Sequence, residues 1–252
     1  MLLTVHAASG QLPVKNTKEA KSRGCFVTMV DATGVDLSDE NRIPLPLLQI
    51  PQLVAQMAGI LTSAAYHFQV APAFYLFDEG VGANAVALPP DPAHGKNAEV
   101  RYGARLLTQD LHEYILQQKN GFTLYEFSTE AIIGHEFAHI VQYLTDPKYL
   151  PSEATRDREL HADFMSGWFV ARNAFGTPLT SQAIQDGSRA FFSRGSTEDA
   201  YFDPDSHGTQ SERRAAFLAG VAIALQSRDQ AFMAGTDYVR DHPSIQPKDP
   251  GS

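Results

Sequence analysis

The chain is short of cysteine and has no hydrophobic run of membrane-spanning character. Cys25 is the only cysteine among 252 residues, so no intramolecular disulfide can hold the fold. The most apolar stretch, 53–77, is interrupted by two glutamines, His67 and Pro72, and predicts a buried helix followed by a strand. The first residues lack the basic start of a secretory leader, so we expect a cytoplasmic protein without a membrane span. An exported protein whose leader has been removed is the alternative.

Positive charge is also scarce. The chain has 20 lysines and arginines against 29 aspartates and glutamates, which gives a formal net charge of −9. Phosphate backbones and anionic lipid surfaces repel such a protein, so nucleic acid is excluded as a general partner. Hydrophobic residues make up 43% of the chain and charged residues 19%, a balance that indicates a folded globular protein rather than a disordered one. The oligomeric state stays open.

The pattern of apolar residues and breakers predicts mostly helix, with a small sheet before the middle of the chain. We expect a single domain over residues 1–252, with 1–46 as an N-terminal embellishment. Ser128 and Ser152 are predicted to cap two of the helices, and 209–212 has the residues of a capping box. The predicted helices span 47–70, 106–118, 128–144, 153–173, 181–192 and 212–226, and the predicted strands span 74–77, 83–88 and 99–102.

The most informative residues form a His-Glu-x-x-His motif at 135–139 in the helix predicted at 128–144. Residues four apart lie one turn above each other on a helix, so His135 and His139 can both bind one metal ion. Glu136 can then face a water molecule on the same metal. The motif predicts a zinc site on a helix whose opposite face is apolar.

Two other interpretations of the motif compete with zinc. A chance occurrence would leave these side chains as a buried polar seam. A di-iron helix bundle uses Glu-x-x-His, and Glu136 with His139 provides one copy of that signature. The bundle needs a second copy, and none occurs in this sequence, so that class is excluded.

The helix predicted at 153–173 contains candidates for the third metal ligand. Glu159 lies 20 residues after His139, which is enough chain for a helix end, a turn and an antiparallel return. Asp163 is one turn further along and can accept the free ring N–H of a ligand histidine. His161 and Asp157 are competing ligands, although each lies two residues from Glu159 and therefore on another face. A solvated helix carboxylate is the alternative role for Glu159.

These residue types predict hydrolysis of a peptide or protein substrate. Zinc lowers the pKa of bound water and polarises a carbonyl group. Glu136 is expected to act as general base toward the attacking water and then to deliver the proton to the leaving amine. The oxyanion of the tetrahedral intermediate needs a further donor from elsewhere in the chain.

Together these motifs resemble those of gluzincin-type zinc metallopeptidases, in which the third ligand is glutamate. The pairing of 135–139 with the Glu-Leu-His-Ala-Asp segment 159–163 is similar to that of the CAAX-prenyl-protease and HtpX-like metallopeptidases. It is also similar to that of the bacterial neutral zinc metallopeptidases. The segment 84–87 resembles the Asn-Ala-Phe-Ala strand of the former family, and His207-Gly208 followed by Arg213 resembles its His-Pro…Arg element.

The resemblance covers about 74–213 and implies a fold and a ligand set. The implied fold is α+β and zincin-like, a single domain that is mostly helical with a small mixed β-sheet packed on the active-site helix. The membrane-embedded members carry transmembrane helices that this chain lacks, so substrate and location do not follow from the resemblance. The implied site has one zinc ion on His135, His139 and Glu159, with Glu136 catalytic.

Three residues outside the ligand set take implied roles. Asp163 supports the site, and His207 lies near the cleft, where it stabilises the oxyanion or occupies the open metal position. A surface-loop histidine is the alternative role for His207. Arg213 is expected to order the loop that carries His207. Gly208 stands where the family has proline.

A strand upstream of the motif is a candidate for substrate binding. In zincins an edge strand above the active-site helix pairs with the extended substrate backbone. Asn84, Ala85 and Val86, in the strand predicted to reach Leu88, are therefore expected to contact substrate. An interior strand without a substrate role is the alternative.

The sequence thus predicts a zinc endopeptidase with two rivals. The first is a zinc-stabilised scaffold or binding protein without proteolytic activity, which needs no base at Glu136. The second is a non-catalytic interaction module that contains the motif by chance and binds no zinc.

Overall fold

The structure, a computed structural model, describes the segments that carry all the motifs except Asn84. Most of the helices predicted at 106–118 and 181–192 also lies outside the described residues. The described residues are 25–26, 42–43, 51–77, 85–104, 106–107, 124–174, 184, 188 and 207–243.

One mixed sheet is built from β1 (Cys25–Phe26), β2 (Arg42–Ile43), β3 (Ala73–Phe77), β4 (Ala85–Leu88) and β5 (Glu99–Gly103). The strand order across the sheet is β1-β4-β5-β3-β2. The central strand β5 pairs antiparallel with β4 and parallel with β3. The two-residue strands β1 and β2 pair antiparallel with β4 and β3 at the two edges.

Five longer helices account for most of the described chain, which confirms the expected mostly helical α+β class with a small mixed sheet. They are α1 (Pro51–Phe68), α2 (Leu124–Leu144), α3 (Thr155–Asn173), α4 (Gln210–Val221) and α5 (Arg228–Asp241). Among the described helices, none is both long enough and apolar enough to cross a membrane.

The main hydrophobic core holds the sheet against α2. Val100 and Tyr102 alternate with charged residues along β5, so both point to one face of the sheet. They are fully buried in one cluster with Ile132 and Phe137 of α2. The helix that carries the His-Glu-x-x-His motif is therefore anchored on the sheet and cannot rotate its polar residues away from α3.

The beginnings of α2 and α3 differ from the predictions. The helix α2 begins at Leu124, because no breaker separates Gly121 from Ser128, and Ser128 is a buried residue inside the helix. The helix α3 begins at Thr155, not after Ser152. The Ser152 hydroxyl instead accepts from the Ala154 N–H at 3.0 Å and donates to the Asp157 carboxylate at 2.7 Å.

Two capping boxes define the helices at the end of the described chain. The predicted box at the start of α4 is confirmed, with the Thr209 side chain and Glu212 satisfying each other's backbone N–H groups. The helix ends at Val221, earlier than predicted. Sequence reasoning missed α5, although Ser227 and Gln230 form the same type of box at its start. Both helices pack on α3 and complete the surroundings of the site.

Candidate metal centre

Three buried side chains from two helices converge on one point. His135 and His139 extend from successive turns of α2, and Glu159 approaches from α3. The two histidine Nε2 atoms are 3.0 Å apart, and each lies 3.3 Å from a different carboxylate oxygen of Glu159. These three residues form a group that could hold a metal ion. The structure therefore brings together the ligand set that the resemblance implied.

A hydrogen bond at Nδ1 orients the ring of each of these two histidines. The Nδ1 atom of His135 lies 2.8 Å from Oδ1 of Asp163, and because a carboxylate only accepts, Nδ1 carries the proton. The Nδ1 atom of His139 lies 2.9 Å from Oε1 of Gln142. In a neutral imidazole this arrangement leaves the lone pair on Nε2, the atom that faces the centre. Gln142 was not identified from the sequence, although its position three residues after His139 on the same helix is the signal for it.

Two of the three separations at this point match those of ligand atoms around one metal ion, and the third, between the histidine Nε2 atoms, is 3.0 Å. Zinc bonds of about 2.0–2.2 Å at tetrahedral angles place ligand atoms about 3.3–3.5 Å apart. The contacts of Glu159 with both histidines match this spacing. Three acceptor atoms directed at one another in a buried space repel unless a metal ion or a proton lies between them. The donor set of two imidazoles and one carboxylate suits zinc.

In the absence of a metal, a proton occupies part of this site. Burial alone would lower the pKa of His135, but Asp163 and Glu159 outweigh that effect and raise it to about 9. Burial would raise the pKa of Glu159, but His207 and the two ligand histidines hold it well below its usual range. A metal ion therefore competes with one proton at His135 and meets an ionised carboxylate at Glu159.

Asp163 and Arg213 form the outer support of His135. Arg213, on α4, donates from Nε to Oδ2 of Asp163 at 2.8 Å and from Nη2 to Oδ1 at 2.9 Å. Its Nη2 also lies 3.6 Å from Glu159 Oε2. All of these side chains are buried, so the arginine neutralises a carboxylate that would otherwise be costly to bury. Arg213 thus acts on the ligand His135 through Asp163, and its expected role in ordering the His207 loop stays a prediction.

Glu136 is buried next to this group. It is 0% exposed, and neither of its carboxylate oxygens has a hydrogen-bond partner among the described residues. Burial raises the pKa of Glu136 to about 8. The charge of His135 opposes this shift, and the charge of Glu159 adds to it. The Ala87 backbone is near enough to lower this pKa, although it forms no hydrogen bond with either carboxylate oxygen. A carboxyl group with a pKa near neutrality can take up and release a proton under working conditions.

His207 lies on the outer side of Glu159. Its Nδ1 atom is 3.4 Å from Glu159 Oε2, and its side chain is 19% exposed whereas Glu159 is fully buried. It is not one of the three converging donor groups. The next residue, Gly208, has a φ of 86°, which proline cannot adopt because its ring holds φ near −65°. The loop therefore follows a path that the His-Pro element of the resembling family could not take.

The competing ligands on α3 point elsewhere. His161 contacts Phe232 and Gln142, and Asp157 pairs with Arg156 at 2.9 Å. Neither belongs to the metal-binding group, in agreement with the expectation that they lie on other faces of α3.

The prediction of a free edge strand is wrong for β4. One side of β4 pairs with β5, and on the other side Phe26 and Cys25 of β1 pair with Val86 and Ala87. Backbone groups that already bond to β1 cannot also pair with a substrate backbone. Ala85 and Val86 are fully buried, and Asn84 lies outside the described residues.

The buried, unpartnered carboxyl group of Glu136 leads to a stability prediction for the metal-free protein. Its pKa is raised from 4.5 to about 8, so the fold favours the neutral form and loses stability as the pH rises through that window. Glu136→Gln keeps the shape and removes the ionisation. We expect the variant to gain stability over wild type as the pH rises from about 4.5 to about 8, measured by urea denaturation with chelator present. Equal pH dependence of the two proteins would contradict the assigned cause.

Comparisons of the whole chain with known proteins found no match. No family model matches the chain, and no curated protein and no solved structure shows significant similarity to it. The likeness to gluzincins accordingly rests on the motif residues, and the finding that stands on geometry is a buried His-His-Glu group suited to a metal ion.

Proposed function

We propose that this chain is a zinc-dependent endopeptidase. The observation that carries the proposal is the convergence of His135, His139 and Glu159 beside a buried carboxyl group, Glu136, whose oxygens lack hydrogen-bond partners among the described residues. A site that only binds metal gains nothing from such a group, because burying it costs free energy. A hydrolytic site needs a base there.

The roles of the residues follow from their positions. Bound zinc would act as a Lewis acid that acidifies water and polarises the scissile carbonyl. Glu136 accepts the proton of the attacking water and transfers it to the amine that leaves when the C–N bond breaks. The water oxygen ends in the new carboxylic acid, so one water is consumed for each peptide bond. His207 lies on the exposed side of Glu159, and in this proposal it would donate to the oxyanion.

A second candidate function is a zinc-stabilised protein without proteolytic activity. The observation that favours it is burial, because His135, Glu136 and Glu159 are all 0% exposed. A peptide would have to displace part of the covering chain to reach them. Both functions require a bound zinc ion, but only the peptidase requires Glu136 as a base.

Zinc content tests the feature shared by both functions. We expect one zinc per chain by elemental analysis, and Glu159→Gln should weaken binding by more than about 100-fold because a ligand contributes more than its outer partners do. The control is Glu153→Gln, an exposed carboxylate near the start of α3, which should bind zinc as wild type does. Absence of stoichiometric zinc in wild type would favour an interaction module with a chance motif.

Cleavage of peptides then separates the two functions. We expect the zinc-loaded full chain to cut members of a mixed peptide library, to lose this activity with chelator and to recover it when zinc is restored. A stoichiometric zinc protein that cuts no peptide in the library would favour the silent scaffold.

A further inference from the structure

A continuous chain of hydrogen bonds leads from α5 through α3 to the ligand His139 on α2. His161 Nε2 lies 3.0 Å from the backbone carbonyl of Phe232, and His161 Nδ1 lies 3.0 Å from the Gln142 amide nitrogen. The amide oxygen of Gln142 lies 2.9 Å from His139 Nδ1. The side chains of His139, Gln142 and His161, which form this series of hydrogen bonds, are all buried. Three helices thus contribute to the orientation of one imidazole.

The Phe232 carbonyl, at one end of this series, determines which group donates and which accepts in every hydrogen bond. The Phe232 carbonyl can only accept, so His161 carries its proton on Nε2, and in the neutral ring Nδ1 is an acceptor. The Gln142 amide nitrogen therefore donates to it, and its second hydrogen goes to the Arg158 carbonyl at 2.9 Å. A flipped amide would place its oxygen against two acceptors. The amide oxygen is left for His139, whose Nδ1 must donate.

Building on the metal site of the proposed function, we propose that Gln142 and His161 are positioning residues that hold His139 with Nδ1 protonated and Nε2 directed at the metal. Asp163 and Arg213 do the same for His135. The two ligands are therefore oriented by different chemistry, a charged pair for His135 and a neutral chain for His139.

The helix α5 contributes no metal ligand but makes room for this arrangement. Gly235 faces the His161 ring, and a Cβ atom there would lie 3.1 Å from His161 Cδ2 and 3.3 Å from its Nε2. The Phe232 ring packs edge-on against the imidazole with centroids 4.5 Å apart. The imidazole is thus held between a close glycine backbone and an aromatic ring, which restricts its rotation.

Three variants test the inference. Gln142→Met keeps the length of the side chain but removes both ends of its hydrogen bonding, and His161→Phe keeps a ring without nitrogen atoms. Ser166→Ala is the control, since it removes a buried 2.6 Å hydrogen bond from Ser166 to Ala131 between the same two helices, α2 and α3. We expect zinc affinity, measured by chelator competition, to fall about 10–100-fold in Gln142→Met. It should fall less in His161→Phe and stay within about threefold of wild type in Ser166→Ala.

The protonation of His139 gives a readout that does not depend on zinc. Nitrogen-15 NMR of the imidazoles in metal-free wild type should show His139 as a single Nδ1–H tautomer, and His161→Phe or Gln142→Met should show a mixture. An unchanged tautomer in both variants, or equal zinc affinity in Gln142→Met and Ser166→Ala, would overturn the inference. Failure of wild type to bind zinc while the tautomer result holds would refute the proposed function and leave the positioning of His139 standing.

Discussion

Replacing Glu136 with glutamine is expected to lower peptide hydrolysis by about 10²–10⁴-fold while zinc stays at one ion per chain. Glutamine keeps the size of the side chain but cannot accept the proton of the attacking water at neutral pH. The ligands His135, His139 and Glu159 are untouched, so metal content should not change. The measurement is the rate of cleavage of one chosen peptide, with zinc determined on the same samples.

Two further variants make this result specific to the carboxylate at 136. Glu136→Asp keeps the carboxylate but withdraws it from the centre, so its rate should lie between those of wild type and Glu136→Gln. Glu153→Gln changes an exposed carboxylate by the same chemistry and should cleave at the wild-type rate. Undiminished cleavage by Glu136→Gln would refute the mechanism, and loss of zinc in that variant would move the role of Glu136 to metal binding.

The second large effect is expected at the crossing of α3 and α4, where Gly220→Ala should destabilise the fold by about 3 kcal/mol or more. A Cβ atom at Gly220 would lie 1.8 Å from the carbonyl oxygen of Phe164, and one at Gly167 would lie 1.9 Å from that of Phe217. These neighbours are backbone atoms of helices, so neither can move without separating α3 from α4.

The same substitution should weaken the metal site, because α3 carries Glu159 and Asp163 whereas α4 carries Arg213. Urea denaturation with and without zinc measures both effects. The matched control is Gly59→Ala, on α1, where an added Cβ meets nothing within 4 Å. That change should stabilise the protein by up to about 1 kcal/mol, since alanine favours a helix over glycine. Similar unfolding midpoints for Gly220→Ala and Gly59→Ala would contradict the close crossing.

The glycine before the motif shows how far local reasoning reaches. Gly134 is unusual inside a helix, and its presence indicates close packing against a neighbouring element. In the structure a Cβ there would lie 2.8 Å from Phe169 Cδ1 and 3.4 Å from the Cα of Ser166. A glycine at this position indicates a close approach but does not identify α3 as the neighbour, because the partner of a helix face depends on the whole fold.

The position of β4 in the sheet, by contrast, is not indicated by the local sequence. The short run of apolar residues in β4 predicted a strand correctly, but such a run is equally compatible with an edge and an interior position. Its position is decided by β1, about 60 residues earlier, where Cys25 pairs with Ala87. No local pattern contains that pairing, so the expected substrate edge could not be tested before the sheet was known.

Local sequence spacing accounts for the features that depend on helix and turn periodicity. His135 and His139 share a helix face because they are four residues apart, and the box from Thr209 to Glu212 begins α4 because its partners are three residues apart. Which groups those residues contact depends on how distant segments of the chain pack. The packing of the helices brings Glu159 to the two histidines and directs Asp163 to His135. It also forms the series of hydrogen bonds from His139 to α5, through side chains that belong to no sequence motif. The reason is physical: a helical register follows from local spacing, but the direction of a hydrogen bond is set only when donor and acceptor from distant parts of the chain are packed together.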